Sequence, residues 1–188
     1  MYLTKINFTE TITMQMLKDA KSIYEMHRTI LSGFDEKPKT LLFRVETGYV
    51  LVLSSDKPKY DVDYFGDIQT KPYVMAYKNG QAFSFRMRAN PTIRKMATGK
   101  NDPIRSEEGL IQWITRKAKD NGFDVQEVMV NIEKIRVSYK GDNKQTHHSV
   151  LFNGVGVVTD TDKFQKSLMN GIGRAKSYGF GMMSVKVL

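Results

Sequence analysis

LLFRVETGYVLVLS, residues 41–54, reads as two short strands folded back on each other. The two runs alternate around Thr47-Gly48, a two-residue turn of the kind that joins antiparallel neighbours, and Asp56-Lys57-Pro58 then breaks the pattern. Working outward toward the N-terminus, residues 2–8 alternate as a strand. From Thr13 the apolar positions Met14, Leu17, Ile23, Ile30 and Leu31 fall near a helical period until Gly33 stops it. The order is therefore strand, helix, strand, strand. After an irregular stretch, residues 73–77 and 82–88 flank the turn signal Asn79-Gly80, and Asn90-Pro91 marks a change of segment.

A similar series follows. Residues 92–96 read as a strand, and Ser106 opens a helix with Glu107 and Glu108 in its first turn, where carboxylates suit the helix dipole. Gly122 closes it. Residues 125–139 and 147–158 are β-rich and joined by Gly141-Asp142-Asn143-Lys144, and residues 162–170 form a short helix before a final strand at 182–188. Two β-α-β-β-α-β series predict an α+β chain built as tandem ferredoxin-like (RRM-like) domains. The division is expected at 1–89, carrying His27, and 90–188, carrying a basic hairpin and a glycine-rich loop. Such a fold hosts many functions, so function has to be argued from sites.

Charge narrows the class of partner. The chain of 188 residues carries a formal net charge of +9 with a sequence pI of about 9.6, which favours a polyanion through counterion release. From Lys71 to Lys100 there are seven basic residues and no acid, and from Lys163 to Leu188 five more and none. Acids cluster instead from Glu46 to Asp67 and from Asp102 to Glu127. A solvated surface normally mixes both signs, so acid-free stretches point to a negative ligand. No cysteine is present, which excludes disulfides, thiolate metal sites and cysteine nucleophiles, and three histidines are few for a histidine-built metal cluster. No apolar run approaches the roughly 18 residues that span a bilayer, and residues 1–8 do not read as a secretory signal. A cytoplasmic protein without a cofactor or metal is expected.

Chemistry then rests on oxygen and imidazole. Tyr24 and His27 are three apart on the first helix and share a face, with Arg28 beside them. An imidazole titrates near neutral pH and can take or give the proton that metal-free RNA cleavage must move. Tyr24 would position the phosphate or the ring and hydrogen-bond developing charge. Residues 83–88 (FSFRMR) place Arg86 and Arg88 on one strand face and Phe83, Phe85 and Met87 on the other. Gly171-Ile172-Gly173-Arg174-Ala175-Lys176 opens a loop continuing to Gly181, whose glycines allow close backbone approach to phosphate while Arg174 and Lys176 supply charge. Lys134, Arg136, Lys140 and Lys144 line a candidate basic ribbon. His147 and His148, adjacent in a strand, point to opposite faces and cannot serve one site.

Taken together, these segments resemble the CRISPR-associated CasE endoribonucleases, which process precursor CRISPR RNA in type I-E Cascade systems. The resemblance rests on Met1-Tyr2-Leu3-Thr4-Lys5, on Tyr24-Glu25-Met26-His27, on Phe85-Arg86-Met87-Arg88-Ala89-Asn90-Pro91 and on residues 171–184, and spans nearly the whole chain. It implies paired ferredoxin-like domains that hold a repeat-derived RNA stem-loop. It also implies a metal-independent cut at the 3' base of the stem, leaving a cyclic phosphate and a 5'-hydroxyl. By the match, His27 is the catalytic histidine and Tyr24 its companion, the glycine-rich loop lies beside the site, and the region from Lys134 to Lys144 engages the stem. The partners implied are CRISPR repeat RNA and other Cascade subunits. Two other readings stand beside it: a non-catalytic subunit that only holds guide RNA, and a metal-dependent nuclease built on Asp61, Asp63 and Asp67.

Overall fold

A computed structural model describes residues 1–7, 23–60, 65–96, 99–133, 136–140 and 143–188. By its contacts the chain divides into two compact units. One comprises Met1–Met75, Val137–Thr146 and Lys176–Gly179; the other comprises Ala76–Arg136, His147–Ala175 and Phe180–Leu188. Among the described residues no helix is long and apolar enough to cross a membrane.

The first unit is built on a four-stranded antiparallel sheet with strand β1 (Tyr2–Asn7), helix α1 (Ile23–Leu31), β2 (Leu41–Glu46), β3 (Tyr49–Ser54) and β4 (Asp67–Pro72). The strand order is β2-β3-β1-β4. The hairpin expected at Thr47-Gly48 forms with Glu46 opposite Tyr49, and Gly48 takes the positive φ of 79° that the tight turn requires. One face of this sheet is apolar: Ile6, Phe43, Val50 and Val52 bury against Met26 and Ile30 of α1, four residues apart on one helical stripe. Residues 13–22 of the expected helix lie outside the described residues.

Strand β4 differs from expectation. Residues 67–72 (DIQTKP) carry no apolar alternation, yet they pair along the whole of β1, from Asn7 opposite Asp67 to Tyr2 opposite Pro72. The strand expected at residues 73–77 does not form. Tyr73 N–H still donates to the Met1 carbonyl at 2.9 Å, one bond beyond the end of β4. As an edge strand, β4 is held by main-chain bonds and by side chains such as Thr70 with Thr4, so it needs little hydrophobic pattern.

The second unit has its own antiparallel sheet, β5 (Ala82–Ala89), β8 (Phe123–Ile132), β11 (Val150–Val158) and β12 (Met183–Val187), in the order β12-β5-β11-β8. Two helices cover one face. In α2 (Glu107–Asp120), Ser106 accepts from the Gly109 N–H at 3.3 Å and Leu110, Trp113, Ile114 and Ala118 are buried. In α3 (Thr161–Asn170), Asp160 caps the start by accepting from the Lys163 N–H, and Phe164 and Leu168 are buried. Phe83, Phe85, Phe123 and Phe164 pack ring against ring at centroid distances from 4.7 to 6.3 Å.

Two expectations need correction here. The division expected after Ala89 does not match the pairing, because β5 lies inside the second sheet, between β12 and β11. The strand expected to open the second series at residues 92–96 is instead β6 (Thr92–Arg94), three residues long, paired only with β7 (Asn101–Pro103) in a separate ribbon. With β5 already in the sheet, residues 92–96 are not needed there, and Pro91 lacks the N–H a ladder would use. A second ribbon joins β9 (Arg136–Lys140) to β10 (Asn143–His147).

Residues 171–181 form a loop whose ends are tied together. The Ile172 N–H donates to the Gly181 carbonyl at 2.9 Å, and the Gly181 N–H donates to the Arg88 carbonyl at 2.7 Å. Gly181 has φ 83°, and a Cβ there would sit 2.6 Å from the Ile172 oxygen, whereas one at Gly48 would meet nothing within 4 Å. Gly48→Ala should therefore cost about 1 kcal/mol, the strain of a left-handed residue alone. Gly181→Ala should cost about 3 kcal/mol or more, since backbone must also move. Urea unfolding of both variants checks this; equal losses would contradict the tied loop.

Candidate active site

His27 lies on α1 one residue past Met26, which is in the core, so its ring sits at the margin of the buried stripe and is half-exposed. It stacks on the ring of Phe43, with centroids 6.1 Å apart and planes inclined by 23°. Nδ1 is buried and hydrogen-bonded to no described residue. Burial, and then the positive charge of Lys37, hold the His27 pKa below its ordinary value. Both causes penalise the imidazolium, so the ring is a neutral base at neutral pH.

The tip of the glycine-rich loop belongs to the same unit as His27. A 3-10 turn, Lys176–Tyr178, packs on α1 and β2. Directly after it Gly179, at φ 77°, brings its backbone onto Phe43: an added Cβ would lie 3.0 Å from the ring edge. Phe43 thus carries His27 and the loop tip on one buried ring. Lys176 stands in this turn; Ala175, just before it, holds φ 60°, the one non-glycine residue with positive φ among those described. Tyr24 lies one turn before His27 in α1, and Arg28 is the exposed residue after it.

The remaining expected residues have other surroundings. Gly171 closes α3 and donates its N–H to the Ser167 carbonyl at 2.8 Å. Gly173 sits against Trp113, and Arg174 is exposed and donates to Asn101 Oδ1 at 3.3 Å. With the amides of Gly171, Ile172, Gly179 and Gly181 all bonded internally, much of the expected amide cradle instead maintains the loop. Arg86 is half-buried and donates to Asn153 Oδ1 at 2.9 Å.

Arg88 departs furthest from expectation. Although it shares the face of Arg86, it is only 5% exposed, and one edge of its guanidinium, Nε and Nη2, donates to both carboxylate oxygens of Glu133 at 2.7 and 2.8 Å. Glu133 also accepts from Ser149 Oγ, and its N–H donates to the Ser149 carbonyl. Arg88 therefore anchors the chain just ahead of β9 and cannot at the same time meet a phosphate. Alternation identified its face correctly but carried no information about the carboxylate that covers it. Arg136, Lys140 and Lys144 lie on the β9–β10 ribbon, while Lys134 lies outside the described residues, as do Asp61 and Asp63. His147 is buried beside Phe180, its pKa lowered by burial, and His148 is lowered by burial and by Arg105. Among the described residues no group of three His, Asp or Glu side chains could hold a metal ion.

Residues 1–186 match the family described as CRISPR associated protein. The chain belongs to this CRISPR-associated family. Its relatives include the CRISPR-associated endoribonuclease Cse3 of Thermus thermophilus, 28% identical over 193 residues and spanning 89% of this chain and 92% of that protein. The Cascade subunit CasE of Escherichia coli is 28% identical over 189 residues, spanning 90% and 94%. A solved structure of Cse3 bound to 19-nucleotide RNA superposes with a TM-score of 0.87 at 27% identity, over 99% of this chain and 100% of that one. That solved relative shares its mixed α+β architecture.

For this CRISPR-associated protein, two site residues escaped the sequence reading. Phe43 looked like any strand apolar residue, and Lys37 like any loop cation; nothing local in the sequence ties either to His27. Lys37→Gln should raise the His27 pKa, because it removes the second of the two causes holding it down, and proton NMR titration of the imidazole reads this directly. Arg88→Ala should destabilise the fold by about 3 kcal/mol, since Glu133 is left partly buried without its partner. Thermal unfolding of that variant within a few tenths of wild type would remove Arg88 from its anchoring role.

Proposed function

We propose that the chain is an endoribonuclease that binds CRISPR repeat RNA stem-loops and cuts them to mature guide RNA. The observation that carries this reading is the neutral, half-exposed His27, held on Phe43 beside the glycine-rich tip, in a chain whose relative Cse3 has been captured with RNA. In the proposed step the RNA 2'-oxygen attacks the adjacent phosphorus while its proton passes to a base. The bond from phosphorus to the 5'-oxygen breaks, and that oxygen takes up a proton, leaving a cyclic phosphate and a 5'-hydroxyl. A ring whose Nδ1 is buried offers Nε2 for one of these transfers, a contribution of about 10² to 10⁴ in rate. Tyr24 positions the phosphate or the ring, and Lys176 in the adjoining turn offsets the charge that builds on phosphorus.

We further read both units as ferredoxin-like, with the division between Met75 and Ala76. In support, each sheet sets the first and third of its own strands side by side at the centre with the second and fourth outside, the order of a split βαβ unit. Arg28, Arg174 and the β9–β10 ribbon are assigned to the RNA, and other Cascade subunits are the expected protein partners, as the name of the Escherichia coli relative suggests.

His27→Ala should abolish cutting of a repeat stem-loop while leaving its affinity within a few-fold. The assay is run in chelator, with a second substrate deoxy-substituted at the cut. Wild-type cleavage in chelator, blocked by the deoxy sugar, supports the reading; binding without any shortening of the RNA would make the chain a guide-holding subunit, and loss of cutting only on chelation would require a metal. Affinity should also fall steeply with salt: about six phosphate contacts imply roughly a thousandfold loss between about 50 and about 200 mM.

A further inference from the structure

The first helix of the second unit carries a charge pattern that neither cleavage nor the basic ribbon uses. Along α2, Gly109, Gln112, Arg116 and Lys119 recur at spacings of three and four, so they form one stripe, and Arg105 stands just ahead of its N-terminus. Arg105, Arg116 and Lys119 are exposed, and none makes an ion pair with a described residue. The acids nearby are fewer and lie at the edges: Asp120 lines the far end of the second groove and faces Lys117 at 4.0 Å, Glu108 accepts from Gln112 at 3.3 Å, and Glu107 is exposed in the first turn.

Two adjoining grooves follow the stripe. One, of about 540 Å³, lies among Ile93, Ile104, Arg105, Gln112, Trp113 and Arg116; the other, of about 440 Å³, continues past Arg116 to Ile111 and Lys119. Apolar side chains are interleaved with the cations and open to solvent, Ile93 at 60% and Ile111 at 37% exposure, with Met96 at 96% on the nearby β6–β7 ribbon. A basic groove for duplex RNA contacts phosphates and has no use for exposed apolar side chains. A groove for an unpaired strand has, because bases released from stacking need an apolar surface beside the cations that follow the backbone.

We infer that the α2 groove binds the unpaired RNA that flanks the stem-loop in the precursor. The inference rests on the function proposed above, and supplies a chemical reason for a face that otherwise reads as merely solvated. From Arg105 to Lys119 the stripe runs about 20 Å along the helix, the scale of a site of ~4 nucleotides.

The test compares a bare stem-loop with the same stem-loop extended by ~10 unpaired nucleotides on either side, using wild type and an R105A/R116A/K119A variant. Fluorescence anisotropy should show the extension tightening wild-type binding by about tenfold on one side. The variant should lose that gain while binding and cutting the bare stem-loop as wild type does. Its log–log salt slope on extended RNA should be shallower by about 2, three contacts at ~0.7 each. An unchanged response to the extension in the variant overturns the inference, as does equal weakening on both RNAs, which would assign the groove to the stem. No gain from the extension in wild type also overturns it, and leaves the apolar and basic face to a protein partner. Failure of wild type to bind the bare stem-loop defeats the earlier reading instead, and is visible before any variant is made.

Discussion

The ring of Phe43 is the contact on which the arrangement around His27 depends. It is fully buried on β2, stacked under His27 of α1 and approached by the backbone of Gly179 from a segment more than 130 positions later in the chain. A flat, rigid side chain suits this place. Its apolar ring offers the stacked imidazole no hydrogen bond, and only a residue without Cβ lets the loop come so near.

The loop that delivers this turn is held from its other end. Gly181 hangs from the carbonyl of Arg88, whose side chain is clasped by Glu133, and Glu133 leads into the strand Arg136–Lys140. One buried arginine therefore holds both the Gly181 end of the glycine-rich segment, through its carbonyl, and Glu133, through its side chain. A paired buried charge of this kind adds little net stability, yet it specifies one arrangement, because every alternative leaves a charge stranded.

Strands and helices that bury a periodic face were legible in the residues. The hairpin at Thr47-Gly48, the Ser106 cap with its acidic first turn, and the helix ending at Asn170 all follow from alternation, helical spacing and capping chemistry. Strand β4 was not, since an edge strand held through β1 needs no pattern of its own, and neither was the membership of residues 82–89, because pairing partners are chosen across the chain. His27 stood out through its chemistry, but the sequence carried no sign of Phe43 or Lys37.

Local composition and short periods by themselves determined the class of molecule: a basic, cysteine-free α+β chain with one imidazole on its first helix. These are properties of single residues and of short periods, and they survive without knowledge of the fold. Only the tertiary structure decided that Arg88 is consumed internally by Glu133 and that the His27 ring stacks on Phe43. Such pairings join residues from 16 positions apart, for His27 and Phe43, to 45, for Arg88 and Glu133. At those separations the partner is set by packing, which no local spacing encodes.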